Sequence, residues 1–252
     1  KILCTLLLYY RHFINFIFNF LVKINKDSII EGLIIPVFKP FNWTSFDVVK
    51  KVRYYFKKSF DIKKIKVGHA GTLDPLATGL LLICTGKKTK EIEKLQELDK
   101  TYYATFSIGK TTPSFDRETE FDKHYPVDHI NDRLIEKSIS SFIGEIKQQP
   151  PIYSALKVKG KRLYEMARKG EDININYRKI NIYDFNLLNN NFPELDFKIK
   201  CSKGTYIRSL AHDFGKKLDS GAYLKYLERY SIGDYNIKDC LTIDQINKLL
   251  FN

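Results

Sequence analysis

The chain has 252 residues, 44% of them hydrophobic, and a formal net charge of +13 from 42 basic against 29 acidic residues. That length suits one large domain or a domain with a small appendage. The charge favours a polyanionic partner, nucleic acid or an anionic membrane surface, although a Lys-, Asn- and Ile-rich composition accumulates lysine without function. The cysteines Cys4, Cys84, Cys201 and Cys240 are far apart and show no metal-ligand spacing. There is no P-loop and no glycine-rich dinucleotide fingerprint.

Residues 1–28 form an apolar extension. Arg11, His12, Asn15 and Asn19 interrupt its hydrophobic runs, and a charge near mid-span is costly in a bilayer. Three readings stand for Lys1–Asn25: a targeting segment, a membrane anchor, or a non-native upstream extension, the last preferred. From Ile29 the pattern becomes globular. Leu33–Phe38 predicts a strand, and Ser45 is the expected N-cap of a helix carrying Val48, Val49, Val52, Tyr55 and Phe56 at helical spacing. Lys50, Lys51, Arg53, Lys57 and Lys58 lie mostly off that apolar face.

Gly68-His69-Ala70-Gly71-Thr72-Leu73-Asp74-Pro75-Leu76-Ala77-Thr78-Gly79 is the densest set of local constraints in the chain. Pro75 fixes its own φ and biases Asp74 towards an extended conformation. The single carboxylate therefore sits on a stiff loop, followed by the buried-strand run Gly79–Cys84. On these features alone Asp74 reads first as a turn cap and second as a catalytic acid.

Lys87, Lys88 and Lys90 open a short helix. In Thr101–Ile108 the residues Tyr102, Ala104, Phe106 and Ile108 share one face, which predicts a half-buried strand; Tyr102 reads as a core edge ahead of a stacking platform. Gly109–Tyr125 is polar and turn-rich, a long loop. Leu134, Ile135, Ile139, Phe142 and Ile143 predict an amphipathic helix ended by Gly144.

Lys147–Gly170 is a second dense stretch. It holds the rigid Gln148-Gln149-Pro150-Pro151, then Tyr153-Ser154-Ala155-Leu156-Lys157 and Lys159-Gly160-Lys161-Arg162, then a helix-prone segment from Leu163. Aromatics interleaved with cations suit nucleic acid, because bases stack and phosphates need charge; a basic hairpin without a ligand is the plainer reading. Ile180–Leu188 and Leu195–Cys201 predict strands. Ser202-Lys203-Gly204-Thr205-Tyr206-Ile207-Arg208 is a glycine turn into a helix whose buried stripe is Ile207, Leu210, Ala211, Phe214 and Leu218. Arg208 falls in the first turn, where the helix dipole disfavours a cation. Thr242-Ile243-Asp244-Gln245 is a capping box for a last helix. Cys84 and Cys201 lie in strand-like runs, which predicts buried, reduced thiols and a reducing compartment.

Taken together these stretches resemble one family, the TruB-type tRNA pseudouridine synthases. The resemblance rests on Gly68–Gly79, on Lys39-Pro40 with Trp43-Thr44-Ser45, and on Lys100-Thr101-Tyr102. It continues through Tyr153–Lys157, Lys161–Glu165, Ser202–Arg208 and Gly221-Ala222-Tyr223-Leu224, in the family's order over about Ile29 to Asn252. It implies isomerisation of uridine to pseudouridine in the T-arm loop of tRNA (position 55), by a monomer that needs no metal, organic cofactor, protein partner or membrane and works in the cytoplasm. By resemblance Asp74 is the essential carboxylate, as nucleophile or as proton acceptor. Tyr102 resembles the ring that stacks on the target uracil. Arg208 resembles the carboxylate's cationic partner, which would hold it in its charged form. His69 resembles the residue that fills the space of flipped nucleotides, Tyr206 and Leu227 line the base pocket, and Lys39 and Lys157 are expected substrate contacts.

The resemblance further implies an α+β pseudouridine synthase fold, a mixed and mostly antiparallel sheet with flanking helices and an RNA-binding cleft. Residues 29–252 form the catalytic domain, with 147–175 as a loop clamping the T-arm. The C-terminal PUA domain of many relatives is not expected. The competing reading, a tRNA-binding or folding factor without catalysis, would be marked by loss of Asp74, Tyr102 or Arg208, and all are present. A synthase directed to another RNA by a guide would carry the PUA domain.

Overall fold

The computed structural model describes residues 24–154, 156–158, 160–167, 169 and 174–251; the N-terminal apolar runs and Cys4 lie outside the described residues. No helix among the described residues is long and apolar enough to cross a membrane. The chain divides into two units. One comprises the described residues up to Leu98 together with those from Arg229 onward, and the other lies within Asp99–Glu228.

The first unit is built on one apolar strand. Helix α1, Lys26–Glu31, starts at a capping box between Asn25 and Ser28 and buries Ile29. Packed structure therefore begins before Ile29. Strand β1, Ile34–Lys39, leads to helix α2, Ser45–Ser59, then β2, Val67–Ala70, and β3, Thr78–Thr85. β3 pairs antiparallel with both β1 (Val37 opposite Leu81) and β2 (His69 opposite Ile83). Its side chains alternate between two cores, as the pleat requires. Leu81 and Ile83 pack with the α2 stripe Val48, Val49, Val52 and Phe56 and with Ile243 and Ile246 of the C-terminal helix Ile243–Phe251. Leu80, Leu82 and Cys84 pack with Leu95 of helix α3, Ile92–Glu97, and with Ile232. The C-terminal capping box forms as expected, with Gln245 N–H donating to Thr242 Oγ1 at 3.1 Å. Val37 also forms a parallel bridge to Leu241.

The N-cap of α2 is Thr44 rather than Ser45. Thr44 Oγ1 accepts from Asp47 N–H, and Asp47 Oδ2 accepts from Thr44 N–H, each at 3.1 Å. Both residues are good caps by type; the acid three residues after Thr44 decides between them, since it closes the reciprocal box.

The second unit holds an antiparallel sheet in the order β4 (Lys100–Ile108), β7 (Glu194–Cys201), β6 (Arg178–Asn191), β5 (Gly144–Gln148). Helix α4, Asp132–Ser140, stops short of the expected end: Gly144 opens β5, and Ile143 is exposed. Gly109–Tyr125 contains a two-residue ladder, Lys110–Thr111 with Lys123–His124. Between 148 and 178 the chain forms a short hairpin, Lys157–Val158 with Lys161–Arg162, and the helix Leu163–Ala167. Helix α5, Ile207–Lys217, packs Phe214 against Phe106, Phe185 and Phe197, with ring centroids 5.5–5.9 Å apart. Strand β8, Ala222–Ile232, carries the chain back into the first unit. β4 keeps the expected alternation at its centre, where Tyr103 and Thr105 are half-buried opposite the face of Tyr102, Ala104 and Phe106; towards its ends Thr101 and Ser107 are buried too. Within the two units the result is an α+β fold.

His212 of α5 stacks on Phe115 with centroids 3.8 Å apart. Burial, aided by Lys216, pushes its imidazole down to about 4 from an ordinary value of about 6.5. Above about pH 6.5 the ring is neutral folded or unfolded. As pH falls from there to about 4 only the unfolded chain takes up the proton, so the stability contribution is lost across that window. The urea midpoint of the wild type relative to His212→Gln is therefore expected to drop between pH 7 and pH 4.

Candidate active site

In the first unit, Asp74 opens a turn in which Ala77 N–H donates to Asp74 O at 3.1 Å. The residues on either side of it are fixed by distant groups. Leu73 donates its N–H to Ser45 Oγ at 2.8 Å and accepts from the same hydroxyl at 3.1 Å. This is the work of the residue expected to be an N-cap. The Pro75 carbonyl accepts from Asn42 N–H at 2.9 Å and from Lys39 Nζ at 3.2 Å. Asp74 itself is half-buried. The frame holds the backbone before and after one carboxylate, a requirement for placing a reactive group.

Lys39 does not fit its expected role as a substrate contact. It is fully buried, and its ammonium also donates to the carbonyls of Pro40 at 3.0 Å and Trp43 at 2.7 Å. Its donors are thus committed to three backbone acceptors. Burial lowers its pKa to about 8, opposed by the charge of Asp74, so it stays a cation at neutral pH.

Arg229 is a residue that the sequence reading missed. It is 1% exposed, and its guanidinium donates from Nε to Leu80 O at 2.8 Å and from Nη2 to Gly71 O at 3.0 Å. It therefore ties together the two ends of the Asp74 loop. The signal available was a charge two positions beyond Leu227 inside a strand run, on the same face. Gly79 is required beside it: φ is +106°, and a Cβ there would lie 2.4 Å from Arg229 O and 2.8 Å from Arg229 N. His69 lies on β2, half-buried, its pKa lowered by burial and then by Arg229. It presents a neutral ring.

In the second unit, Tyr102 lies on β4 opposite Ile199 and is 8% exposed. Leu227 is buried on β8. Arg208 is 2% exposed in the first turn of α5. Its Nη1 lies 3.5 Å from Asp116 Oδ2 and donates to the carbonyls of Tyr153 at 2.9 Å and Ser114 at 3.4 Å. Asp116, the second residue that the sequence reading missed, is organised in turn. Its Oδ1 accepts from Glu118 N–H at 2.9 Å and its carbonyl from Thr112 Oγ1 at 2.6 Å. The polar stretch Gly109–Tyr125 is thus folded around a buried carboxylate, which helps to offset the unfavourable dipole at Arg208. Tyr206 is the N-cap residue of α5. Its N–H donates to Gln148 Oε1 at 2.8 Å, and its carbonyl accepts from Gln148 Nε2 at 3.0 Å. Lys157 lies in the short hairpin, with its side chain outside the described ones. No group of acidic, histidine or cysteine side chains among the described residues is arranged to hold a metal ion.

Comparison with known proteins gives a consistent result. The pattern described as TruB family pseudouridylate synthase (N terminal domain) matches residues 57–207. The protein called tRNA pseudouridine synthase B in Flavobacterium johnsoniae is 53% identical over 218 residues, 86% of this chain and 95% of that protein. Its namesake in Phocaeicola vulgatus is 51% identical over 220 residues, 87% of this chain and 94% of that one. Among solved structures, a chain of a Cbf5-Nop10-Gar1 complex superposes with a TM-score of 0.62 at 26% identity, covering 86% of this chain and 54% of the other. An archaeal box H/ACA Nop10-Cbf5 complex gives a TM-score of 0.62 at 23% identity over 87% of this chain and 54% of its own, a likeness of fold.

Two substitutions test the frame. Gly79→Ala must move the Arg229 backbone and is expected to cost at least about 2 kcal/mol, a fall in Tm of about 4–8 °C. Asp116→Ala takes away a buried carboxylate 3.5 Å from the Arg208 guanidinium, together with the acceptor of the Glu118 N–H, and is expected to cost about 1–3 kcal/mol, read from denaturant midpoints.

Proposed function

The chain belongs to the TruB family of pseudouridylate synthases, and on that premise we propose that it isomerises uridine to pseudouridine in tRNA, at the T-arm loop (position 55). The observation that carries this reading to the residues is the Asp74 frame. A single carboxylate sits between Leu73, held by Ser45, and Pro75, held by Lys39 and Asn42.

In the reaction the ribose C1′–N1 bond breaks, the base turns, and a C1′–C5 bond forms. The C5 proton leaves, and N1 gains one, so product and substrate have the same composition. The target base must first leave its stack, at a cost of a few kcal/mol. Asp74 serves as the essential carboxylate, Tyr102 as the ring against the uracil, Tyr206 and Leu227 as lining of the base pocket, and Arg208 as the cation that serves the carboxylate. The neutral ring of His69 suits the space of a flipped nucleotide, since an uncharged aromatic can stack there without desolvating a charge. Lys39 acts on the loop and not on the RNA. Residues 29–252 act as the catalytic domain, and 147–175, with Lys157, close on the T-arm. The scheme needs no metal, no organic cofactor and no protein partner. A reducing cytoplasm suits the thiols: Cys84, Cys201 and Cys240 are buried and form no disulfide among the described residues, and burial raises Cys84 to about 11 and Cys201 to about 12.

The test is Asp74→Asn with unmodified tRNA, scored by chemical mapping of pseudouridine. The substitution keeps the size of the side chain and is expected to leave the melting temperature and tRNA binding near wild type. Turnover is expected to fall by at least about a thousandfold. A variant that forms pseudouridine at the wild-type rate, or a wild type that modifies a uridine outside the T-arm, would remove the corresponding part of the proposal.

A further inference from the structure

Tyr206 is gripped from two sides by residues that face each other across the sheet. Gln148 ends β5 and Arg178 begins β6, and the two are register partners. They are also where the chain leaves the sheet and returns to it, around the stretch 149–177. Gln148 is fully buried, and its side-chain amide is spent on the Tyr206 backbone, one bond to its N–H at 2.8 Å and one from Nε2 to its carbonyl at 3.0 Å. This is the pairing a neighbouring strand would make, delivered by a side chain. The Arg178 guanidinium lies over the Tyr206 ring, 4.4 Å from its centroid, well inside cation–π range. Its Nε and Nη2 are buried and have no hydrogen-bond partner among the described residues. A desolvated guanidinium edge without acceptors is costly, so the aromatic contact is the compensation that the geometry offers it. The first turn of the same helix is tied to the same root: Ser209 Oγ donates to Gln149 O at 2.7 Å.

We propose that Gln148 and Arg178 are positioning residues for Tyr206, fixing its backbone and its ring face so that the ring meets the target base in one orientation. The inference rests on the pocket role given to Tyr206 above. It assigns the two residues at the root of the 149–177 stretch a part in the chemical step, although neither touches the base. Misplacing a ring by about 1 Å is enough to slow such a step on the order of a hundredfold.

The experiment measures single-turnover pseudouridine formation and the dissociation constant of the full chain, with an unmodified T-arm stem-loop RNA as probe. The variants are Gln148→Met, which keeps volume and removes both hydrogen bonds, and Arg178→Leu, with Arg178→Lys retaining the cation. Each is made alone and with Tyr206→Ala. Expected for Gln148→Met and Arg178→Leu is a fall in rate of about tenfold to a hundredfold. Binding should change by less than about threefold, and Arg178→Lys should recover most of the loss. In the Tyr206→Ala background the same changes should alter the rate by less than about twofold, because residues acting through one ring are not additive. Wild-type rates in the folded Gln148→Met and Arg178→Leu proteins, beside a slow Tyr206→Ala, would overturn the inference and leave the role of Tyr206 standing. Equal losses in both backgrounds would also overturn it. A Tyr206→Ala protein at the wild-type rate would remove the role of Tyr206, and the inference with it. If Gln148→Met fails to fold, the Arg178 pair decides alone.

Discussion

Buried cations hold the backbone around Asp74. Lys39 gathers the carbonyls of Pro40, Trp43 and Pro75, and Arg229 joins the carbonyls of Gly71 and Leu80. A loop that must present a carboxylate has few ways to be rigid, because regular secondary structure would turn that side chain into one position of a ladder. Charge-assisted donors aimed at successive carbonyls are strong and directional, and they fix the loop from beneath. The arrangement accounts for the high local demand on sequence. Ser45 must reach Leu73, Gly79 must admit the Arg229 backbone, and β3 must be apolar on both faces to anchor the far end of the loop.

The second unit solves a similar problem with other means. Its tightly packed part is aromatic, Phe106, Phe185, Phe197 and Phe214 in mutual contact, and it seats α5 on the sheet. The N-terminal end of that helix carries Tyr206, Arg208 and Ser209, each bonded to a segment remote in sequence: Gln148, Asp116 with Tyr153, and Gln149. Helix packing fixes the axis. These polar ties fix the first turn, where frayed backbone would otherwise take water as its partner.

What could be read in advance follows from the range of the forces involved. The two-sided run Gly79–Cys84, the α2 stripe and the C-terminal capping box are local patterns, and each became the element expected. Asp74, Tyr102, Tyr206 and Arg208 were marked out by motif, whereas local pattern alone placed Asp74 as a turn residue and Tyr102 as a core edge. The turn at Asp74 and the burial of Tyr102 are both present; the turn uses the Asp74 backbone carbonyl and leaves its carboxylate out of the turn bond. Lys39 was marked by its place in the Lys39-Pro40 motif, and only the fold shows three carbonyls converging on it. Asp116 and Arg229 were missed for a related reason. Each is an ordinary charge in its own neighbourhood, and its partners lie elsewhere in the chain, as Leu80 does from Arg229 and Arg208 from Asp116. The capping residue of α2 was misplaced by one position because two hydroxyl residues stand side by side, and the choice turned on Asp47.

The burial of Lys39, Arg208 and Arg229 separates the positive charge of this protein into two populations. Those three are 0%, 2% and 1% exposed, beyond the reach of counterions, whereas lysines such as Lys50, Lys57 and Lys58 on α2 stand in solvent. Added electrolyte screens exposed charges within roughly a Debye length of about 8–10 Å. It displaces a polyanion held by such charges, yet leaves the internal cations and the loop geometry they impose unchanged. The charges open to solvent and the charges that hold the Asp74 loop are thereby different ones, and ionic strength acts on the first without loosening the second.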